Sequence, residues 1–255
     1  MPLRLFRCNL PLMPDYIEFA PPLRLDDSVE CFWVMRRSED SAFAHRVLPD
    51  GCADIIFRRD SGKVSLTVVG TMTRFADFQM PGKQLSVGMR FRPGMWREHF
   101  GVPGPEITDG LLPLEDLWGA RGRALLEQMT AADSPQQGAE LLGRALGPSR
   151  ARTPVQRALA WMESSPDSVS LDDIAFQTGL SVRQFRRVCL EQTGVSPKLL
   201  ARVLRFRKAL AEVRAQVGEH AGLAADCGYF DQSHFIAEFQ RFAGQTPAAY
   251  LRAMR

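Results

Sequence analysis

Two passages in the C-terminal half of this 255-residue chain resemble each other at an offset of fifty residues. Six positions keep the same physical class in both: a small residue, a helix-capping residue, two apolar residues, a glycine and a proline. The pairs are Ala175 and Ala225, Ser181 and Asp231, Phe185 and Phe235, Cys189 and Phe239, Gly194 and Gly244, and Pro197 and Pro247. Each passage indicates a short helix, a tight turn and a second helix that begins at a capping residue, which is the pattern of a helix-turn-helix. Two such units favour a protein that reads two successive grooves of DNA.

Charge is spread unevenly between the two halves. Residues 150–255 hold 15 Lys/Arg against 10 Asp/Glu, whereas residues 1–149 hold 17 against 19. The half that contains the repeat is therefore the basic half, which suits a polyanionic partner. A balance of this size is also ordinary for a hundred residues, so charge alone decides little.

Cysteine usage and hydropathy bear on the compartment. The five cysteines are an odd number without CxxC spacing, which indicates small apolar core residues in a reducing compartment. They are Cys8, Cys31, Cys52, Cys189 and Cys227. No run reaches about 18 apolar residues, and the first residues lack a signal-peptide pattern. We therefore predict a cytoplasmic protein that makes no membrane contact.

The pattern of secondary structure predicts an α+β chain. Short apolar runs at 31–35, 53–57, 64–69 and 85–91, punctuated by glycines, indicate a β sandwich or barrel over residues 1–112. Helical spacing over 113–149 predicts a connector that either packs on the β domain or pairs with a second chain. Residues 150–255 predict an all-α domain with helix-turn-helix units at about 171–192 and 221–242, joined by a linker helix.

The first unit presents a basic face. Gly179 supplies the positive φ of the turn, and Ser181 caps a helix whose apolar face holds Val182, Phe185 and Cys189. The opposite face holds the first predicted DNA-binding residues, which are Arg183, Gln184, Arg186 and Arg187. Arginine binds guanine O6 and N7 with two hydrogen bonds or holds a phosphate. These residues can therefore enter a major groove, or form a solvated basic face.

The second unit predicts a weaker reader. Its helix follows Asp231 and has no Lys or Arg before Arg241. Its exposed residues are predicted to be Gln232, Ser233, His234, Ala237 and Arg241. Between the units, a helix over 201–216 would be roughly 24 Å long. A spacer of that length can hold two reading helices about one DNA turn, or ~34 Å, apart.

Residues 153–252 resemble the DNA-binding domain of AraC/XylS-type transcription regulators. The matching stretches are SLDDIAFQTGLSVRQFRR, GVSPKLLARVLRFRKAL and GYFDQSHFIAEFQRFAGQTPAAYLR. By position, the resemblance places base contacts on the arginines of the first unit, and on Gln232, Ser233 and Ala237 of the second. Ala237 departs from the family, in which a long polar side chain is common at that place. Ala237 could contact only a thymine methyl group.

Residues 1–149 resemble the N-terminal domain of one poorly characterised subset of that family, through PDGCADIIF and GMRFRPG. The resemblance implies a cupin-like β fold. His45 and His99 are too far apart in sequence for a cupin metal centre, so we predict neither metal nor cofactor. Trp33, Arg90 and Arg92 could bind an anionic or aromatic ligand. The alternative is a core tryptophan with surface arginines.

Together these features predict a DNA-binding transcription regulator and not an enzyme. Its main partner would be double-stranded promoter or operator DNA. Further candidate partners are RNA polymerase, a small-molecule effector and a second copy of the chain. The main alternative is an enzyme or reactive-cysteine sensor that uses its helical half to target DNA. A second alternative is a protein whose helical half binds other proteins, which leaves the arginine face unexplained.

Overall fold

The computed structural model describes residues 5–6, 16–80, 82–147, 151–166, 170–215 and 223–254. The strands of these residues are β1 (Leu5–Phe6), β2 (Tyr16–Phe19), β3 (Val29–Arg37), β4 (Phe43–Val47), β5 (Ala53–Asp60), β6 (Lys63–Val69), β7 (Ala76–Met80), β8 (Gln84–Phe91) and β9 (Leu111–Pro113). Their helices are α1 (Arg97–Phe100), α2 (Leu114–Trp118), α3 (Ala120–Thr130), α4 (Pro135–Leu146), α5 (Pro154–Ser164), α6 (Leu171–Thr178), α7 (Val182–Thr193), α8 (Pro197–Ala215), α9 (Leu223–Asp226), α10 (Gln232–Ala243) and α11 (Pro247–Ala253).

The N-terminal half is built on an antiparallel sheet in the order β1-β2-β3-β8-β5-β6-β9, with β4 and β7 forming a separate ribbon. Each predicted strand lies within β3, β5, β6 or β8, so these predictions are confirmed. The strands were recognisable because their runs are apolar. The ribbon strands alternate exposed and half-buried residues, and their sequences contain no apolar run.

The two faces of the sheet have different covers. One face, with Phe32, Ile55 and Met89, forms the main core, and α3 and α4 pack on it. The other face contributes Cys31, Trp33 and Met35 to a second cluster that includes Met80 of β7. Alternate side chains of a strand point to opposite faces, which explains how β3 serves both clusters.

The helical half contains two units joined by α8. The first unit is α6 and α7 with a core of Ile174, Phe185 and Cys189. The second is α9 and α10 with a core of Phe235 and Phe239. Helix α8 begins four residues before the predicted linker helix because Pro197 suits the first turn of a helix. Gln216, the predicted last residue of that helix, lies outside the described residues.

The turns of the two units differ in length, which corrects the sequence match in one place. Gly179 and Gly228 both have positive φ, of 67° and 70°. The backbone N–H groups after them donate to Ala175 and Ala224. The offset before the caps is thus 49 residues, and Ala175 corresponds to Ala224, not to Ala225. From the cap residues onward, the offset is fifty as predicted.

The β-rich half contacts both units at the C-terminal end of the second helix. Thr108 Oγ1 donates to the carbonyl oxygen of Gly194 at 2.9 Å, at the C-terminal end of α7. Arg46 Nη1 donates to the carbonyl oxygen of Ala243 at 3.2 Å, at the end of α10. Arg207 of α8 also forms an ion pair with Glu30 of β3. The C-terminal ends of both second helices therefore face the β-rich half.

Candidate nucleic-acid interface

Helix α7 is fixed in place by its cap and by its apolar face. Ser181 Oγ accepts from the backbone N–H of Gln184 at 3.3 Å, and the Ser181 N–H donates to Gln184 Oε1 at 2.9 Å. This reciprocal capping satisfies donors that a helix start leaves open. Phe185 and Cys189 are fully buried. The cap and the core together determine which side of α7 faces solvent.

The solvent side of α7 holds the predicted basic face. Arg183, Arg186 and Arg187 are all exposed. Arg187 Nη1 lies 2.8 Å from Oε1 of Glu191, one helical turn away. An exposed i,i+4 pair of this kind contributes only about 0.3–0.5 kcal/mol, so a phosphate or a base can replace the carboxylate. Gln184 is exposed too, but its side-chain oxygen serves the cap, which leaves its NH₂ group for another partner.

Helix α10 presents a different chemistry at corresponding positions. Asp231 caps it by accepting from the backbone N–H of His234 at 2.7 Å. The predicted residues Gln232, Ser233, His234, Ala237 and Arg241 are all exposed. At the fifty-residue offset, the three arginines of α7 are replaced by Ser233, Ile236 and Ala237. The exposed face of α10 is therefore nearly neutral until Arg241 in its last turn.

Helix α8 follows α7 in the chain and is joined to α10 by an ion pair. Arg202 Nε and Nη2 donate to the two carboxylate oxygens of Glu238 at 2.8 and 2.6 Å. The hydrogen bonds from Arg202 lower the pKa of Glu238, because they favour its charged form. A two-point pair defines orientation as well as distance. It therefore fixes how α10 sits against α8.

The predicted ligand residues separate into two places. Trp33 Nε1 donates to Asp54 Oδ1 at 2.7 Å, and Arg90 Nε lies 3.6 Å from the same oxygen. Arg92 lies at the junction of the two halves, where its Nη1 is 3.7 Å from Oε1 of Glu163 in α5. Trp33 and Arg90 are thus brought together, whereas Arg92 joins the β-rich half to the helical half.

Asp54 is the residue of this group that the sequence reasoning missed. Burial raises its pKa to about 6, and Arg90 opposes the rise. A carboxylate between Ala53 and Ile55 in an apolar strand was the sequence feature that could have revealed it.

Within the described residues, no three His, Cys, Asp or Glu side chains are grouped to hold a metal ion. No helix of that part of the chain is long and apolar enough to cross a bilayer.

Two family models match the chain. Residues 156–253 match a helix-turn-helix domain, which spans α5 to α11. Residues 17–113 match a family described as a domain of unknown function (DUF6597). The C-terminal segment is thus a helix-turn-helix DNA-binding domain of the AraC/XylS type, and it holds both capped helices and the arginine face.

Curated proteins and solved structures similar to this chain include the following three. The transcriptional activator RhaS of Escherichia coli is 36% identical over 90 residues, which cover 35% of this chain and 32% of RhaS. The chain therefore matches about a third of the length of these curated relatives. The DNA-binding domain of AdpA in complex with a target DNA is 24% identical, covers 41% of this chain and 95% of that chain, and has a TM-score of 0.38. ToxT from Vibrio cholerae is 12% identical, covers 88% and 98%, and has a TM-score of 0.45.

Proposed function

We propose that this protein is a transcription regulator that reads two adjacent major grooves of promoter DNA, with α7 as the main reader and α10 as the weaker one. The observation that carries the proposal is the exposed arginine face of α7. Its three guanidinium groups lie on a capped helix whose other side is fixed by buried Phe185 and Cys189. This arrangement supports the proposal, because a second helix held by its core can present exposed donors to a major groove.

The side chains of α7 and α10 predict different contributions to DNA binding. Arg183, Arg186 and Arg187 can form paired hydrogen bonds with guanine or contact phosphates. Gln232 can pair with adenine, and Ser233 can contact a base or a phosphate. We infer that DNA affinity resides mainly in the first unit and that the second unit adds a smaller sequence preference. Regulation of promoters would place the protein in the cytoplasm, with RNA polymerase as its functional partner.

The β-rich half is proposed to modulate this DNA binding. Trp33, Asp54 and Arg90 combine an aromatic ring, a carboxyl group of raised pKa and a guanidinium on one sheet face. The Trp33 ring suits a small aromatic effector, whereas an anionic effector would have to displace a carboxylate of Glu18, Asp50 or Asp54 from Arg90. Arg92, two residues further along the chain, joins this half to Glu163 of α5. We propose three domains, which are residues 1–112, 113–149 and 150–255. Helices α2 to α4 are also the proposed surface for a second copy of the chain.

The main proposal is tested by selection from a random duplex library with the full-length protein. The selection is done at about 150 mM salt, because phosphate contacts weaken as salt rises. We expect one enriched motif with a strong and a weak half about one helical turn apart. Replacing the three α7 arginines with Ala should abolish the enrichment. Lys63→Ala, which removes an exposed charge from β6 of the β-rich half, should leave it unchanged. Failure of the wild-type protein to enrich any motif would refute the proposal.

A further inference from the structure

Phe230 is an extra residue in the turn of the second helix-turn-helix. In the first unit, one residue, Leu180, separates the positive-φ Gly179 from the cap Ser181. In the second unit, two residues, Tyr229 and Phe230, separate Gly228 from the cap Asp231. The structure thus shows an insertion that shifts the offset of the repeat from 49 to fifty residues.

The insertion is not needed for the core of the second unit. Leu180 packs against the first core, and Tyr229 takes the corresponding place in the second, where it is 5% exposed. The Tyr229 ring lies 5.3 Å from the ring of Phe235. Phe230 is 93% exposed. The apolar contact between turn and helix is therefore complete without Phe230.

Phe230 lies at the N-terminal end of α10, which is the second helix of its unit. It directly precedes the cap Asp231, and the next residues along the chain, Gln232 and Ser233, are exposed. In helix-turn-helix proteins, the N-terminal residues of the second helix contact base edges. The opposite end of α10 faces the β-rich half, through Arg46 and Ala243. The N-terminal end is therefore the end of α10 that is not held by this contact.

Chemistry narrows what Phe230 can recognise. A phenyl ring offers no hydrogen bond to a base edge, but it makes favourable apolar contact with the C5-methyl group of thymine. The first turn of α10 lacks the arginine found in α7. Apolar contact is thus a route to sequence preference that this end of the helix retains.

We propose that Phe230 contacts DNA in the second half-site and recognises a thymine methyl group there. This inference rests on the proposed DNA-reading function. It assigns part of the sequence preference of the second unit to a residue in the turn before α10, outside the helix itself.

The test is a double-mutant cycle that joins a protein change to the removal of one methyl group. The duplex recovered by selection is prepared with thymine or with uracil at each thymine of the weaker half-site, and Kd is measured by fluorescence anisotropy. Wild-type protein should lose about three- to fivefold in affinity on uracil at one position, which corresponds to one buried methyl group. Phe230→Ala should lose about tenfold on thymine DNA and less than twofold further on uracil.

Two controls isolate the effect. Leu23→Ala removes another highly exposed apolar side chain, at 87% exposure in the β-rich half, and should bind both duplexes like wild type. Uracil in the stronger half-site should affect wild type and Phe230→Ala equally. Because Phe230 is exposed, the thermal unfolding midpoint of the protein should not change when Phe230 is replaced by Ala.

Three results would overturn the inference. They are a weaker half-site without thymine, wild-type affinity for Phe230→Ala, and an equal uracil effect in both proteins. If the wild-type protein enriches no motif, the proposed function fails as well, and the inference falls with it. If a motif is enriched and depends on the α7 arginines while Phe230→Ala binds normally, only the inference fails.

Discussion

Gly194→Ala tests whether the β-rich half is docked on the end of the first reading helix. Gly194 ends α7 with a φ of 79°. An alanine in this left-handed conformation costs about 1–2 kcal/mol. Its Cβ would also overlap Thr108 Oγ1 and lie 2.9 Å from the carbonyl oxygen of Gly104. Overpacking adds about 1–3 kcal/mol, and loss of the Thr108 hydrogen bond adds about 1 kcal/mol. We expect a total loss of roughly 3–6 kcal/mol.

Gly179→Ala is the matched control. Gly179 also ends a helix in the left-handed region, with a φ of 67°, but an added Cβ there meets no atom within 4 Å. Only the backbone term of about 1–2 kcal/mol should therefore remain. Urea unfolding of both full-length variants, followed by tryptophan fluorescence, measures the difference. Equal losses for Gly194→Ala and Gly179→Ala would refute the docking of Thr108 against α7.

Three further predictions concern the interface and the buried charges. Arg187→Ala should lower affinity by about 1–3 kcal/mol at one base-pair position, and an equal loss on every sequence would show a phosphate contact instead. Glu238→Gln should destabilise the fold by about 1.5–3 kcal/mol at pH 7, because it weakens hydrogen bonds to a charged group. Because Arg202 lowers the Glu238 pKa, the difference from wild type should shrink in urea titrations below pH about 4, and a pH-independent loss would contradict the pairing. Asp54 has a raised pKa of about 6, so its contribution to the free energy of unfolding should fall as pH rises from about 4 to about 6. Asp54→Asn should flatten that part of the profile, and an unchanged slope would exclude Asp54 as its source.

Local features of the fold were predictable because their chemistry is local. A serine three residues before a glutamine predicts a capped helix, and Ser181 and Gln184 form that cap. Arg187 and Glu191 likewise have the i,i+4 spacing of a helical ion pair, and they form one. This pair was not predicted from the sequence. The positive φ of Gly179 was predicted from the turn and is confirmed.

Contacts between the halves could not be predicted from spacing. Thr108 and Gly194 are 86 residues apart, and a threonine hydroxyl can donate to any carbonyl oxygen in reach. The insertion of Phe230 could not be predicted from the sequence for a different reason. A match of residue classes at one offset cannot show that an extra residue precedes the cap, because only the backbone conformation of Gly228 reveals where the turn begins.

The central place of β8 has a consequence for biogenesis. This strand pairs with β3 on one side and with β5 on the other, yet it follows both in the chain. The apolar edges of β3 and β5 therefore stay unpaired on the ribosome until Phe91 has emerged, and such edges are prone to aggregation. Pairings between distant segments also form slowly, whereas helices with local contacts form quickly. Nascent chains from which β8 has not yet emerged are thus the stage at which these two strands are most exposed to aggregation.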